Sequence, residues 1–379
     1  MRMTRRAALA GAMAAPAAAA LAKPQAAPSK PYRAMLVVDG LGGLSDPYSP
    51  EETLKLSPRA IAEMKASGVS VIDVTVGTVG NAPGGWEALL ESIAAYDKLI
   101  AANADFLMPV RSLADFSLAK ARGRLGIYYG TQDTSMIGTQ LERLAELKTK
   151  GVRQVQLTYN LRNLSGDGAL EPANAGLSRL GLKTIAAIEA QAMVLDLSHG
   201  GARTMAEAVA AAKNPPLISH TGCRALFDHP RNTADETMRA AADKGGCVGI
   251  YFMPFLAPGS KPTGAQLIDH IVHAANVCGE DHVSIGTDGA VLPIVIDDAA
   301  RAAARADWDA RSKAGYAAPG EGPDVFTIVA DYNSIDKFAR LAAALGKRGW
   351  TSRQVEKLLG GNLVRLFAEV GGTEQCKGT

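Results

Sequence analysis

Two histidines and one aspartate are the residues of this chain whose positions best suit joint chemistry. His199 and His220 each close a short apolar run, in the segments LDLSH and LISH, and Asp288 closes another, in SIGTD. The chain has only 6 histidines, so two in equivalent positions form a signal. Imidazoles from neighbouring strands can bind one divalent ion, and a carboxylate can accept a proton from its water. The pattern predicts metal-assisted chemistry, with Asp288 as the proton acceptor.

Eight short apolar runs would form the strands that position these residues. They are continuous rather than alternating, which is typical of a parallel sheet covered on both faces. Ala-rich amphipathic stretches separate them, such as the helical pattern that starts at Trp86. The predicted strands are Ala34–Asp39, Val69–Gly77, Arg124–Gln132, Val152–Tyr159, Ala192–His199, Pro216–His220, Cys247–Phe252 and His282–Asp288. A further run, Phe106–Arg111, is interpreted as a peripheral insertion.

Repetition of strand and helix favours a single-domain α/β fold, a (β/α)8 TIM-type barrel. The alternative is an open doubly wound sheet, which usually carries a glycine-rich nucleotide fingerprint after its first strand. The segment DGLGGL at Asp39 contains glycines but no GxGxxG that opens a helix. We interpret Asp39 as a turn-initiating residue, with a metal-ligand role as the alternative.

The two ends of the chain lie outside the predicted barrel, which spans residues 34–370. Residues 1–22 combine Arg5 and Arg6 with a small apolar stretch, which is typical of a twin-arginine export signal. Residues 23–33 form a Pro/Ala-rich linker, and residues 371–379 a C-terminal tail. No segment after residue 22 reaches the roughly 18 apolar residues of a spanning helix, so no transmembrane anchor is expected. The prediction is a periplasmic or secreted protein.

Composition excludes several classes of protein. Hydrophobic residues make up 47% and charged residues 21%, as in ordinary globular chains. The formal net charge of +2 gives no electrostatic footprint for nucleic acid. The 4 cysteines lack CxxC spacing and are predicted to be core thiols. The sequence is compatible with a homodimer.

Seven stretches between Val37 and Glu369 give a specific resemblance to the membrane (renal) dipeptidases, a family of zinc peptidases with amidohydrolase-type barrels. They are LTYNLRN, GLSRLG, VLDLSHGGARTM, PLISHTGCRAL, HPRNTADE, DHVSIGTDG and LLGGNLVRLF, in matching order and spacing. The resemblance implies a hydrolase with two zinc ions. Its substrates would be dipeptides or other small amides that carry a carboxylate.

Four residues match functional positions of that family. The resemblance implies that His199 and His220 hold the second metal ion and that Asp288 takes the proton. It also implies that Arg231 holds the carboxylate of the substrate or the developing oxyanion. Asp196, three residues before His199, is a candidate to orient an imidazole, and an ion pair lower in the barrel is the alternative.

Four other positions depart from the family pattern. Leu41 and Gly43 stand where the HxD ligand pair of the first metal is expected. Gln132 replaces the bridging Glu, and Tyr159 replaces a substrate-binding His. Leu and Gly offer no side-chain lone pair, and Gln is a weaker donor to zinc than a carboxylate. We therefore expect at most one tightly bound divalent ion, zinc, held by the two histidines with Gln132 as a weak ligand.

Two functions follow as hypotheses. The first is an exported metal-dependent hydrolase of small amides or dipeptides with this reduced metal site. The second is a non-catalytic or metal-independent pocket protein on a dipeptidase barrel, which acts on or binds a tailored peptide. In that case Tyr128, Tyr129 and Tyr159 would line the pocket. The other four histidines are interpreted as structural or surface residues.

Overall fold

The computed structural model describes residues 30–50, 53–80 and 84–371. The predicted signal segment, most of the linker and nearly all of the C-terminal tail lie outside these residues, so their boundaries stay predictions. None of the described helices is both long enough and apolar enough to cross a membrane.

Parallel strands form one sheet that closes into a barrel. The strands are β1 (Val38–Gly43), β2 (Val71–Thr75), β3 (Leu107–Pro109), β4 (Leu125–Thr131), β5 (Val152–Gln156), β6 (Val194–Asp196), β7 (Leu217–Thr221), β8 (Cys247–Ile250), β9 (Val283–Ile285) and β10 (Gly289–Ala290). Their order is β10-β1-β2-β4-β5-β6-β7-β8-β9, and β3 pairs with β4 off this path. Only residues 286–288 separate β9 from β10, and β10 pairs with β1, so together they form an interrupted eighth strand. The predicted barrel and its peripheral extra strand are confirmed.

The first strand is displaced from its predicted position. It was predicted at Ala34–Asp39, but pairing with β2 begins at Val38 and β1 continues through its glycines. Asp39 therefore lies inside a strand, and its interpretation as a turn residue is wrong. Its carboxylate accepts hydrogen bonds from the backbone N–H (2.8 Å) and the hydroxyl (2.6 Å) of Thr287. These bonds tie β1 to the break in the eighth strand.

Helices pack around the barrel and across its two ends. They are α1 (Pro58–Ser67), α2 (Gly85–Ala102), α3 (Leu113–Ala121), α4 (Arg143–Thr149), α5 (Arg179–Ala190), α6 (Ala202–Ala211), α7 (Asp235–Asp243), α8 (Gly264–Cys278), α9 (Asp298–Lys313), α10 (Lys337–Lys347), α11 (Ser352–Glu356) and α12 (Asn362–Gly371). Local sequence sets their ends, as in α1, where the Ser57 hydroxyl accepts from the backbone N–H of Ala60. Gly68 then ends α1 in a left-handed conformation, with φ 78°.

Aromatic side chains seal the floor of the barrel, at the amino ends of its strands. The ring of Phe367, from α12, packs against Tyr128 at 5.2 Å and Phe116 at 5.3 Å between centroids. Val38 and Leu363 belong to the same buried cluster. This apolar layer closes the end of the barrel opposite to the carboxyl ends of the strands, where the predicted site residues lie.

The three tyrosines proposed to line one pocket do not share a pocket. Tyr128 is buried in the barrel floor. Tyr129 faces the opposite side of the same strand, and its hydroxyl donates to Asp97 of α2 at 2.8 Å. Since successive residues of a strand point to opposite faces, only Tyr159 remains near the carboxyl ends of the strands.

Candidate metal site

His199, His220 and Asp288 meet at the carboxyl end of the barrel, as the sequence predicted. One ligand atom from each lies within 4.8 Å of the others. Across residues 30–50, 53–80 and 84–371, this is the one group of three or more His, Cys, Asp or Glu so arranged. The two imidazole centroids are 4.8 Å apart, with 60° between the ring planes.

Unusual backbone conformations deliver two of these side chains. His220 lies within β7, but His199 follows the end of β6, and Asp288 lies in the break between β9 and β10. His199 has φ 62° and Asp288 has φ 54°, the left-handed region that non-glycine residues rarely adopt. Such conformations cluster at functional sites, where the surrounding structure compensates their cost.

Asn160 fixes the tautomer of His199. Its amide oxygen lies 2.6 Å from Nδ1 of the imidazole. The amide oxygen can only accept, so Nδ1 carries the proton and Nε2 keeps its lone pair. That Nε2 atom is buried and has no hydrogen-bond partner among the described residues.

Ser219 and Asp196 fix the tautomer of His220. The Ser219 hydroxyl donates to the Asp196 carboxylate and lies 2.7 Å from Nδ1 of His220. The hydroxyl proton is engaged, so Nδ1 is the donor and Nε2 of His220 is also left with a lone pair. Within the described chain this Nε2 atom is also buried without a partner. Asp196 was a candidate because of its spacing from His199, but in the structure it reaches His220 instead, through the Ser219 hydroxyl.

The donor set fits a divalent metal ion. Burial lowers the pKa of both imidazoles well below the ordinary value, and the nearby Arg231 cation lowers both further. Both rings are therefore neutral and present an orphaned nitrogen lone pair. Neutral imidazoles whose other nitrogen donates to an oxygen are typical zinc ligands.

The Asp288 carboxyl completes the group. Burial raises its pKa to about 6, while the cations of Arg231 and Arg311 oppose the rise. Its backbone N–H donates to the carbonyl of Leu41 at 2.9 Å, which ties the loop to β1. A carboxyl group that titrates near neutral pH suits proton transfer.

The first strand supplies no ligand side chain at the positions where a second metal site would need them. Leu41 is buried. Gly43 pairs with Ala290, and a Cβ added there would lie 3.6 Å from the Cα of Ala290. Gln132 directly follows β4, and its backbone carbonyl accepts from the side chain of Gln156 at 2.7 Å. A ligand role for Gln132 stays a prediction.

Arg231 and Tyr159, the two predicted substrate-binding residues, border the metal group. Arg231 is only 4% exposed, and its guanidinium carbon lies 5.9 Å from the ring centroid of Tyr251. Tyr159 stacks on His199 with 4.0 Å between centroids and 22° between planes. Its hydroxyl accepts a hydrogen bond from Arg311 at 3.2 Å. Their roles toward substrate stay predictions.

Sequence reasoning missed several residues that support the site. Asn160 follows Tyr159 and Ser219 precedes His220 in sequence, so adjacency to a predicted site residue was the signal that could have found them. Arg311 and Tyr316 lie far beyond the last predicted strand and belong to no motif.

The remaining histidines are structural, as predicted. Their ring nitrogens bond to protein groups: His229 to the Pro319 carbonyl, His270 to the Leu256 carbonyl, His273 to Asp235 and His282 to the Gly246 carbonyl. Cys223, Cys247 and Cys278 are buried free thiols, as expected, and Cys376 lies outside the described residues.

A (β/α)8 barrel that carries two neutral imidazoles and a carboxylate at its strand ends defines a protein of the metallohydrolase class. The membrane dipeptidase family, peptidase family M19, matches residues 53–303. The chain belongs to this family.

Similarity to individual proteins agrees with this assignment. A crystallised amidohydrolase from Pseudomonas aeruginosa is 31% identical, with a TM-score of 0.76 over 90% of this chain and 98% of its own. The probable dipeptidase PvdM from Pseudomonas aeruginosa shares the fold at 18% identity, with a TM-score of 0.70 over 90% of this chain and 96% of its own. Dipeptidase verJ of Clonostachys rogersoniana is 26% identical over 285 residues, 75% of this chain and 65% of that protein. Dipeptidase tcpJ of Claviceps purpurea matches over 65% of this chain and 52% of its own length, so the chain spans about half to two thirds of these curated relatives.

Proposed function

We propose that this protein is an exported metal-dependent hydrolase that cleaves dipeptides or other small amides carrying a free carboxylate. The observation that supports this most strongly is the pair of buried, unpartnered Nε2 atoms of His199 and His220 beside the Asp288 carboxyl. Membership of the dipeptidase family supports the substrate class.

The proposed site holds one divalent ion. His199 and His220 would bind it, with Gln132 as a weaker oxygen ligand. Zinc is the expected ion because of the nitrogen donors. A bound divalent ion supplies Lewis-acid polarisation of the substrate carbonyl and of water. A second tightly bound ion is not expected, because Leu41 and Gly43 provide no side-chain donor.

The remaining roles belong to the protein's own side chains. Asp288 accepts a proton from the attacking water and returns it to the leaving amine, a role suited to its raised pKa. Arg231, buried beside the site, binds the substrate carboxylate through paired N–H donors. Tyr159 forms the wall of the site next to His199 and places the substrate against it.

Export is proposed from the sequence of residues 1–22, with Arg5 and Arg6 ahead of a small apolar stretch. The mature chain would begin near Lys23. Amino-terminal sequencing of the protein recovered from the periplasm tests this. Recovery of the full-length chain in the cytoplasm alone would contradict it.

A matched pair of substrates tests the hydrolase proposal. Purified protein loaded with zinc should cleave a set of dipeptides that have free carboxyl termini. It should act far more slowly on the same dipeptides with amidated termini, and treatment with a chelator should abolish both activities. Equal turnover after complete metal removal would favour the metal-independent alternative, and binding without cleavage would favour the non-catalytic one.

A further inference from the structure

Residues 311–321 form a segment that contacts the supports of the metal site rather than the metal group itself. We name it the bracing segment. It comprises the end of α9 and the turn that follows, from Arg311 to Glu321. It bonds to Tyr159, Asn160 and His229, and each of these adjoins His199 or Arg231.

Within this segment Arg311 is held rigidly. Its Nε and Nη2 atoms donate to the two carboxylate oxygens of Glu321, both at 2.9 Å. Glu321 also accepts from the backbone N–H of Ala318 at 3.0 Å. The remaining nitrogen of the guanidinium, Nη1, donates a hydrogen bond to the Tyr159 hydroxyl at 3.2 Å. A bidentate pair fixes the plane of a guanidinium, so the position of the phenol is fixed as well.

Tyr159 transmits this constraint to the metal group. Its ring lies 4.0 Å from His199 between centroids and is nearly parallel to it. Tyr316 also contacts Tyr159, with 5.9 Å between the ring centroids and 80° between the ring planes. The stack leaves the imidazole little freedom to rotate about its side-chain bonds.

The same segment also fixes the tautomer of His199. The backbone carbonyl of Tyr316 accepts a hydrogen bond from Nδ2 of Asn160 at 2.7 Å. That bond holds the amide so that its oxygen faces Nδ1 of His199 at 2.6 Å. The bracing segment therefore fixes both the ring plane of His199, through Tyr159, and its tautomer, through Asn160.

Core packing does not account for these contacts. No residue of α9 is buried in the structure as described, so the helix does not contribute to the core. One hydrogen bond of Arg311, from Nη1, runs to Tyr159 beside the site, and the Arg311 cation is among the charges that act on Asp288 and His199.

We propose that Arg311 is a positioning residue for His199, which it holds through Tyr159 in the orientation that directs Nε2 into the metal site. The metal-binding consequence rests on the proposed function. The orientation of the ring does not, because it can be measured on protein from which metal has been removed.

Arg311→Met tests the proposal, with Arg305→Met as the matched control. Arg305 lies on the same helix and pairs with Asp324 at 3.1 Å, away from Tyr159. In metal-free protein, the ring protons of His199 should resonate upfield because they lie over the phenol. They can be assigned by their loss in His199→Gln. Arg311→Met should shift them downfield toward ordinary imidazole values, and Arg305→Met should leave them in place.

Zinc affinity, measured by competition with a chromophoric chelator, provides the second measurement. Loss of a group that orients a ligand typically costs 10–100-fold in metal affinity, so Arg311→Met should weaken zinc binding by about that factor. Tyr159→Phe keeps the ring but loses the hydroxyl, so it should move both measurements in the same direction. This second variant decides the question if Arg311→Met does not fold.

Unchanged His199 resonances in a folded Arg311→Met or Tyr159→Phe protein would overturn the proposal, even if the melting temperature fell. A wild-type protein that binds no zinc would defeat the proposed function only. The comparison of resonances would still decide whether Arg311 positions His199.

Discussion

A single hydroxyl, that of Ser219, joins the imidazole of His220 to the carboxylate of Asp196. Asp196 also accepts from the backbone N–H groups of Ser198 and Ser219, both at 3.0 Å. The carboxylate therefore organises the turn after β6 and the middle of β7 together. Through Ser219, one buried acidic residue thus sets the direction of the His220 imidazole on the neighbouring strand.

Ser219→Ala should weaken zinc binding. Without the hydroxyl, Nδ1 of His220 loses its acceptor and the imidazole can rotate or change tautomer. Loss of such a supporting group is expected to cost about 10–100-fold in metal affinity. Zinc titration against a competing chelator measures it. Ser284→Ala, at a buried serine of β9, is the control and should bind zinc like the wild type. Equal affinities for the two variants would contradict the role of Ser219.

The zinc content of the purified protein should depend on His199 and His220. We expect about one equivalent of zinc per chain after loading and desalting, as for a site built from one set of protein ligands. His199→Ala or His220→Ala should lower the content several-fold. His282→Ala should not, since His282 bonds to the Gly246 carbonyl away from the site. Elemental analysis gives the count, and two equivalents in the wild type would refute the reduced site.

Arg231→Lys should affect substrates according to their carboxyl terminus. Lysine keeps the charge but loses the planar pair of donors. Hydrogen bonds to charged groups contribute about 1.5–3 kcal/mol, so kcat/KM for a dipeptide with a free carboxylate should fall about 10–100-fold. The amidated dipeptide, which lacks the charge, should be affected much less. Steady-state kinetics on the two substrates provide the comparison, and equal losses would argue against carboxylate recognition.

Two glycine substitutions should change stability in opposite directions. A Cβ at Gly249 would lie 1.9 Å from the carbonyl oxygen of Ser219, so Gly249→Ala forces β7 and β8 apart. Overpacking of this kind costs about 1–3 kcal/mol or more. Gly346 lies in α10 with open space around its Cβ position, so Gly346→Ala should stabilise the helix by up to about 1 kcal/mol. Urea unfolding measures the free energy of unfolding of both variants. A Gly346→Ala protein less stable than the wild type would contradict the prediction for α10.

The barrel could be predicted because its strands are buried on both faces and so read as continuous apolar runs. The first strand was misplaced because every residue of it after Val38 belongs to DGLGG, a composition that local rules assign to a turn. Pairing with strands on both sides, and the bonds from Thr287 to Asp39, hold these glycines extended. Such contacts join residues far apart in sequence, and no local pattern reports them.

The grouping of His199, His220 and Asp288 could be predicted for a similar reason, since polar residues that end buried strands must meet at one end of a barrel. The supports of that group were harder to find. Asn160 and Ser219 act through bonds whose direction depends on rotamers, and Arg311 reaches the site only because the chain folds back after α9. The order of residues in the sequence does not indicate that the chain folds back to the site after α9.

The aromatic layer of Phe116, Tyr128 and Phe367 closes the amino ends of the strands, so among the described residues the His199–His220 site is reached from the carboxyl ends. If the protein is the proposed hydrolase, substrate and product would have to share that one approach. A bound product would then delay the next substrate, and a long polypeptide could present only one of its termini.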